Sequence, residues 1–404
     1  VTLDFKEGKD MSLNTTPIAD RIHIGIFGKR NSGKSSLVNA ITGQNLAIVS
    51  DFAGTTTDPV YKNMELLPLG PVVIIDTAGL DDEGELGSLR VEKTYGVLNK
   101  TNIAIVCVDI KSGVGELEKE LIAEIERKNI PFVVVRNKLD NADETVQPQF
   151  PHDICVSAKT GENIEDLKNL LGTFVGKEPG KRLVGDLVGE GDLVILVIPI
   201  DSAAPKGRLI LPQQQTIRDL LESGAIAASV RETELKTAIE KLGKPKLVIT
   251  DSQAFKMVSE IVPEDVPLTS FSILFSRYKG EIWEMAKAAA MIDTLSDGDR
   301  ILIAEGCTHH RQCDDIGTVK LPKWIREKTG KNIEFEFVSG GDFPRNFDKY
   351  KLVVHCGGCT LPETEVKSRI EAAKKANIPI TNYGTLIAHI NGILERSIKP
   401  LRKD

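Results

Sequence analysis

No run of about 18 or more apolar residues interrupts the 404-residue chain, so the sequence offers no membrane-spanning helix. Positive charge is not in excess either. Lys and Arg number 51 against 58 Asp and Glu, a formal net charge of −7. That excludes a broad nucleic-acid surface and leaves room only for a local basic patch. The opening stretch VTLDFKEGKDMSLNTT lacks the apolar segment of a secretory signal, so a cytoplasmic location is expected. Met11 is a candidate natural start, which would make residues 1–10 an added leader. Internal repeats and low-complexity tracts are absent. Cysteine is sparse, at six residues, and disulfides are not expected in a cytosolic chain of this length. Clustered cysteines there point instead to metal or redox chemistry. Four of the six (Cys307, Cys313, Cys356 and Cys359) lie beyond residue 300.

The apolar residues that are present fall into short β-branched runs. Residues 22–27, 72–76, 103–109, 132–137 and 153–158 read as buried strands, with helical stretches at 34–42, 86–99, 116–128 and 163–171 between them. Such alternation predicts a parallel sheet covered by helices on both faces. Residues 176–186 are rich in Gly, Pro and Lys and read as a linker. A second unit starts at 193–200 and a third follows a break at 263–269, with a long helix at 279–293 and strands at 300–305, 333–338, 352–356 and 378–382. The fold class expected is α/β: a nucleotide-binding domain at 21–178 behind a leader at 1–20, a middle domain at 186–264 and a last domain at 268–404.

Gly28-Lys29-Arg30-Asn31-Ser32-Gly33-Lys34-Ser35 fits the phosphate-binding pattern G-x-x-x-x-G-K-[ST], after a strand and before a helix. Its glycines let main-chain N–H groups surround phosphates, and the helix start adds a favourable dipole. Ser32 and Ser36 belong to the same cradle. Lys34 is expected to reach the β- and γ-phosphates and Ser35 to ligate Mg²⁺. Asp76-Thr77-Ala78-Gly79 ends a strand, where Asp76 suits Mg²⁺ and the Gly79 amide the γ-phosphate. Asn137-Lys138-Leu139-Asp140 ends another; the Asp140 carboxylate can accept two N–H groups of guanine, which adenine does not offer. Ser157-Ala158-Lys159 closes the base pocket. All four segments, in order and each after a strand, predict a site for GTP and GDP.

This constellation resembles the Era/TrmE type of translation-factor-related GTPases. Residues 54–58, GTTTD, resemble their switch I segment, which implies Thr56, with Thr55 second, as the residue closing on Mg²⁺. The usual Pro and Arg of that segment are Ala53 and Thr57 here, and Leu80 stands where Ras-like proteins carry a water-orienting Gln. Asn31 holds the position that serves K⁺ in potassium-dependent members. The resemblance implies slow hydrolysis, aided by K⁺ and by dimerisation or a partner.

Cys307-Thr308-His309 follows the strand at 300–305, and His355-Cys356-Gly357-Gly358-Cys359 follows the strand residues KLVV, 351–354. Ligands gather at the carboxyl ends of strands in open α/β sheets. Spacing alone leaves three readings open: an iron–sulfur cluster on three cysteines, a Cys₃His zinc site, or thiols with no metal. Cys313 competes as a ligand but has Asp314 and Asp315 beside it. Cys107 and Cys155 read as small core residues, His23 and His389 as structural, His152 as a loop residue, and His310 as a substitute for His309.

The pairing C-x-H … H-C-x-x-C behind a GTPase domain, with the segments TPIADRIHIGIFGKRNSGKSS and GRLILPQQQTIRDLL, resembles the FeFe-hydrogenase maturation GTPases, the HydF family. That resemblance covers nearly the whole chain. It implies a 4Fe-4S cluster on Cys307, Cys356 and Cys359, with His309 or His355 as a fourth ligand. It also implies a carrier of a di-iron precursor that serves apo-hydrogenase alongside radical-SAM maturases, and a homodimer. The competing expectation is an Era/TrmE-like GTPase of ribosome or tRNA work with a structural zinc site.

Overall fold

The structure is a computed structural model that describes residues 16–43, 59–81, 84–142, 147–174, 181–200, 209–306 and 315–402. The chain divides into two compact units, Val1–Glu178 and Pro179–Asp404.

In the first unit six strands form one sheet: β1 (Ile22–Phe27), β2 (Val60–Leu66), β3 (Gly70–Asp76), β4 (Ile103–Asp109), β5 (Phe132–Asn137) and β6 (Asp153–Cys155), in the order β2-β3-β1-β4-β5-β6. The period-2 alternation of a strand sorts the apolar residues to two faces. On β4, Ile103, Ile105 and Cys107 join Leu37, Val38 and Leu167 in one core, while Ala104, Val106 and Val108 join Leu98, Leu121 and Ile125 in the other. Helices cover both faces, which is why β4 reads as an unbroken apolar run. The expected all-parallel sheet needs one correction. β2 pairs antiparallel with β3, from Val60↔Asp76 to Leu66↔Gly70. A short turn allows only an antiparallel partner. β2 lies at the sheet's edge, with Val60, Tyr61, Asn63 and Glu65 exposed, so it lacks the apolar signature of the other strands.

The second unit holds two four-stranded parallel sheets. β7 (Leu193–Val197), β8 (Ile226–Val230), β9 (Leu247–Thr250) and β10 (Leu268–Ser270) run in the order β10-β9-β7-β8. β11 (Arg300–Glu305), β12 (Glu334–Ser339), β13 (Leu352–His355) and β14 (Ile380–Asn382) run in the order β12-β11-β13-β14. One hydrophobic core joins residues of both sheets, among them Val194, Val248, Leu268, Ile301, Ile303 and Val354. The stretch 263–269, expected as a break, therefore ends inside a strand of the first sheet. A first helix, Phe271–Lys279, ends where the expected long helix at 279–293 should begin, and that span holds instead a shorter helix, Ile282–Ala289, continued by a 3₁₀ helix, Ala290–Thr294. Ser270 caps the first by accepting the Ile273 N–H, and extended backbone at Gly280 ends it. Among the described residues no helix is long and apolar enough to cross a membrane.

Candidate functional site

The loop after β1 wraps tightly for a steric reason. Gly28 has φ 145°, and a Cβ there would sit 2.1 Å from the Cys107 carbonyl oxygen. Gly33, at φ 92°, caps the helix Lys34–Thr42, and a Cβ on it would sit 2.2 Å from Asn137 Nδ2. Lys34 is nearly buried and its Nζ donates to the carbonyls of Gly28 (2.9 Å) and Lys29 (2.7 Å), inside the ring of main chain it is expected to share with phosphate. Ser35 Oγ donates to Asp76 Oδ2 at 2.7 Å. The other oxygen, Asp76 Oδ1, is buried without a hydrogen-bond partner. Burial raises the Asp76 pKa against the opposing pull of the Ser35 hydrogen bond and the Lys34 charge. A buried carboxylate with one uncommitted oxygen beside a serine hydroxyl fits a hard divalent cation. Gly79 lies close to Arg30, whose N–H donates to Asp81 Oδ1 at 2.6 Å.

At the base end Asn137 acts as a strut that the sequence does not reveal. Its Nδ2 donates to the Ser32 carbonyl at 3.2 Å, and its Oδ1 accepts the N–H groups of Lys138 (2.8 Å) and Ala158 (3.0 Å). One side chain thus ties three loops together. Lys138, in the left-handed region at φ 68°, pairs with Asp109 at 2.8 Å. Asp140 Oδ1 accepts from Ser157 Oγ at 2.7 Å and Oδ2 lies 3.6 Å from Lys159 Nζ. The Ser157 hydrogen bond, first, and then Lys159 hold the Asp140 carboxyl below the usual range, so it is ready to accept hydrogen bonds at neutral pH. A cavity of about 560 Å³ lies among Gly33, Ser36, Asn137, Asp140, Ala158 and Lys159. Asn31 takes φ 59° in the loop. Thr55 and Thr56 lie outside the described residues.

In the second unit, β11 and β13 are neighbours, with Ala304 opposite His355. The end of β11 therefore sits against the C-x-x-C loop. Gly306 N–H donates to Cys356 Sγ at 3.0 Å, and Gly358 N–H adds a longer bond at 3.4 Å. Burial raises the Cys356 thiol pKa and carries Cys359 up to about 11. Lys279 is almost wholly buried beneath the loop and donates to three of its carbonyls. His355 faces elsewhere. Arg369 Nη1 lies 3.2 Å from His355 Nε2, so Nε2 accepts, and Nδ1–H donates to the Cys356 carbonyl at 2.7 Å. Burial, and then the Arg369 charge, lowers the His355 pKa to about 4. With both ring nitrogens engaged, this geometry offers no lone pair for a metal, against the expectation of His355 as a fourth ligand. Cys307, His309, His310 and Cys313 lie outside the described residues, among which no three His, Cys, Asp or Glu side chains gather as a metal site.

Of the remaining candidates, Cys107 is a buried core thiol that donates to the Ser32 carbonyl at 3.3 Å. Cys155 is half-buried on β6. His23 is buried with Nδ1 2.9 Å from the Arg21 carbonyl, and His389 bonds Asp293 at 2.7 Å. His152 stacks edge-on against Phe174.

Three family models match. The 50S ribosome-binding GTPase model covers residues 23–138, the hydrogen maturase F dimerization domain 183–280 and the hydrogen maturase F tetramerization domain 283–400. The two maturase models lie end to end and together take up more than half of the chain. The chain belongs to the hydrogen maturase F family. Its first unit is a P-loop GTPase domain, and the α/β units behind it are that family's oligomerisation domains. An Era/TrmE-like GTPase with appended structural zinc does not account for residues 183–400, so that alternative is not favoured. Curated relatives match over the GTPase part. The tRNA modification GTPase MnmE of Legionella pneumophila (strain Corby) is 34% identical over 166 residues, 40% of this chain and 36% of that protein. GTPase Der of Nautilia profundicola is 37% identical over 177 residues, 40% of this chain and 38% of that one. The chain thus spans little more than a third of the length of these relatives. Among solved structures, Aquifex aeolicus Era bound to GDP.AlF4- is similar at 19% identity and TM-score 0.35, over 52% of this chain and 93% of that one. The S. thermophilus NFeoB bound to GDP.AlF4- and K+ is similar at 19% identity and TM-score 0.32, over 41% and 74%.

Proposed function

We propose that this maturase F chain hydrolyses GTP in its first unit and serves in its second as a scaffold for hydrogenase active-site assembly. It would hold a 4Fe-4S cluster on Cys307, Cys356 and Cys359 and pass a di-iron precursor to apo-hydrogenase, as a homodimer or larger assembly working beside radical-SAM maturases. The observation that supports the cluster most directly is the 3.0 Å bond from Gly306 N–H to Cys356 Sγ. Residue 307 is the next in the chain, and consecutive Cα atoms are about 3.8 Å apart. Two N–H donors aimed at one sulfur suit a thiolate, the form that binds iron. His309, or His310 in its place, is left for the fourth position, since His355 is engaged by Arg369 and the Cys356 carbonyl.

In the GTPase unit, Lys34 would exchange its carbonyl partners for phosphate oxygens. Ser35 and Asp76, with Thr56 from the switch segment, would hold Mg²⁺, which neutralises charge on the phosphates. Asp140 would select guanine, and Asn31 would favour K⁺. Equal hydrolysis rates in K⁺ and Na⁺ would remove Asn31 from that role.

The deciding experiment is anaerobic reconstitution followed by iron, sulfide and zinc analysis. Wild-type protein should take up about four irons and four sulfides per chain, as the cluster's composition requires. Cys307→Ser, Cys356→Ser and Cys359→Ser should each lose the cluster and the activation of apo-hydrogenase while GTP hydrolysis persists. Tightly bound zinc at one per chain, with no uptake of iron and sulfide, would sink the carrier reading.

A further inference from the structure

Leu121, Ile122 and Ile125 of the helix Glu116–Arg127 share a core with Val106 and Val108 of β4, which fixes the helix to the sheet. Acidic residues at a helix start meet the positive end of its dipole, and an exposed one is enough for that. Glu116 is of this kind, with its side chain 83% exposed and paired to Lys119 at 2.7 Å. Glu118 is different, because only 1% of it is exposed. Its Oε2 accepts the Gly115 N–H at 3.1 Å and lies 3.1 Å from Lys29 Nζ. Residue 115 is shaped to the pair: a Cβ there would sit 2.6 Å from Lys29 Nζ. Taking a carboxylate out of water is costly, and capping a helix does not require it. Lys29 is the second residue of the phosphate loop, and its carbonyl accepts from both Lys34 Nζ at 2.7 Å and Ser32 Oγ at 3.0 Å. The pair thus anchors, from a neighbouring helix, the peptide group on which Lys34 and Ser32 rest.

We propose that Glu118 is a positioning residue for GTP turnover, holding the loop at 28–35 through Lys29 in the shape that receives phosphate. It acts through Lys29 and not on the reacting atoms, and the proposal rests on GTP hydrolysis in the first unit. A loop already held in its binding shape loses less freedom when the nucleotide arrives. The phosphates that GTP and GDP share are gripped alike in substrate, transition state and product. Holding the loop is therefore uniform binding, which lowers KM and leaves kcat as it is.

Steady-state GTP hydrolysis and calorimetric titration with GDP, both on the full chain, test it. Glu118→Gln keeps the size of the side chain and an oxygen for the Gly115 N–H, and removes only the charge. KM for GTP and Kd for GDP should rise together by about fivefold, the upper end of what a half-exposed ion pair is worth. The kcat should stay within about twofold of wild type, as loss of uniform binding requires. Lys29→Met alone would strand a buried carboxylate, so Lys29 is tested in the double variant Lys29→Met/Glu118→Gln. That variant should match Glu118→Gln, because two side chains that form one link are not lost twice. If Glu118→Gln does not fold, the double variant, with neither charge left to bury, carries the same expectation. A lower kcat at unchanged KM, the mark of a smaller folded fraction, would overturn the positioning role, and so would unchanged constants. Losses in the double variant well beyond those of Glu118→Gln would put Lys29 on the nucleotide directly and overturn Glu118 as its anchor. A wild-type chain that turns over no GTP would sink the GTPase reading, while the GDP titration would still decide the anchor.

Discussion

The loop at 28–35 and the loop at 356–359 both follow strands whose neighbours run parallel to them, and a buried lysine grips main-chain oxygens in each. In the first, the lysine opens the helix that continues directly from the loop and holds two of the loop's carbonyls, of Gly28 and Lys29. In the second, the lysine comes from another helix about eighty residues away in sequence and holds three, of Gly358, Cys359 and Leu361. A lysine that moves with its own loop can trade carbonyls for an arriving phosphate. A lysine held from outside cannot follow the loop, so it fixes the loop in place. The first arrangement suits a ligand that comes, reacts and leaves. The second suits a group that stays.

The largest effect should come from removing the exchanging lysine. Lys34→Ala should lower GTP hydrolysis by about 10²–10³-fold, the usual cost of deleting one donor aimed at developing charge. Phosphate-release assays under saturating GTP check it, and near-wild-type turnover would break the contrast between the loops. The same variant should still take up a cluster, because Lys34 and the cysteines fall in separate compact units.

Next in size is specificity at the base end. Asp140→Asn should weaken GTP binding by roughly 10²-fold, since a carboxylate that accepts two hydrogen bonds is replaced by a group that can accept only one, and charged hydrogen bonds are worth about 1.5–3 kcal/mol each. Xanthosine triphosphate, which offers an acceptor where guanine has a donor, should gain. Calorimetric titration with both nucleotides decides the matter, and unchanged GTP affinity would remove Asp140 from the pocket.

The two loops also differ in how far the sequence discloses them. The nucleotide loop is readable because its chemistry is local: Gly28, Gly33, Lys34 and Ser35 are close in the chain and their spacing is the mechanism. Buried strands such as β4 and β13 are readable for the same reason, as runs of apolar residues with both faces covered. The edge strand β2 and the three-residue β10 are not, because one is largely exposed and the other too short to show a period. Around the cysteines the partners are distant. Lys279 and Arg369 look like surface charges in the sequence, and only folding places one under the loop and the other on His355. A histidine next to a cysteine suggests a ligand until Arg369 is seen to occupy it. Asn137 was expected at the base, but its bonds to the loops at 32 and 158 depend on the strand ends that the sheet brings together, which the motif does not disclose.

The glycine pair between Cys356 and Cys359 gives the smallest and sharpest test of the comparison. In the sequence the two glycines are interchangeable. In the structure they are not equal. Gly358 lies in the left-handed region at φ 65°, its N–H reaches Cys356 Sγ, and a Cβ on it would come within 3.0 Å of Val366 Cγ2. Gly357 has no such requirement, and a Cβ there would meet Ser272 Oγ at an ordinary 3.5 Å. An L-residue in the left-handed region costs about 1–2 kcal/mol, so Gly358→Ala should destabilise the second unit by about that amount. Gly357→Ala should stay within about 0.5 kcal/mol of wild type, as an uncrowded substitution does. The chain has two tryptophans, Trp283 and Trp324, and both belong to the second unit, so tryptophan fluorescence, excited where tyrosine does not absorb, reports on that unit alone during denaturant unfolding. Equal losses in the two variants would mean that the loop adapts its backbone to either residue. A loop that adapts so freely is not clamped by Lys279, and the contrast between an exchanging loop and a fixed one would fail at its fixed end.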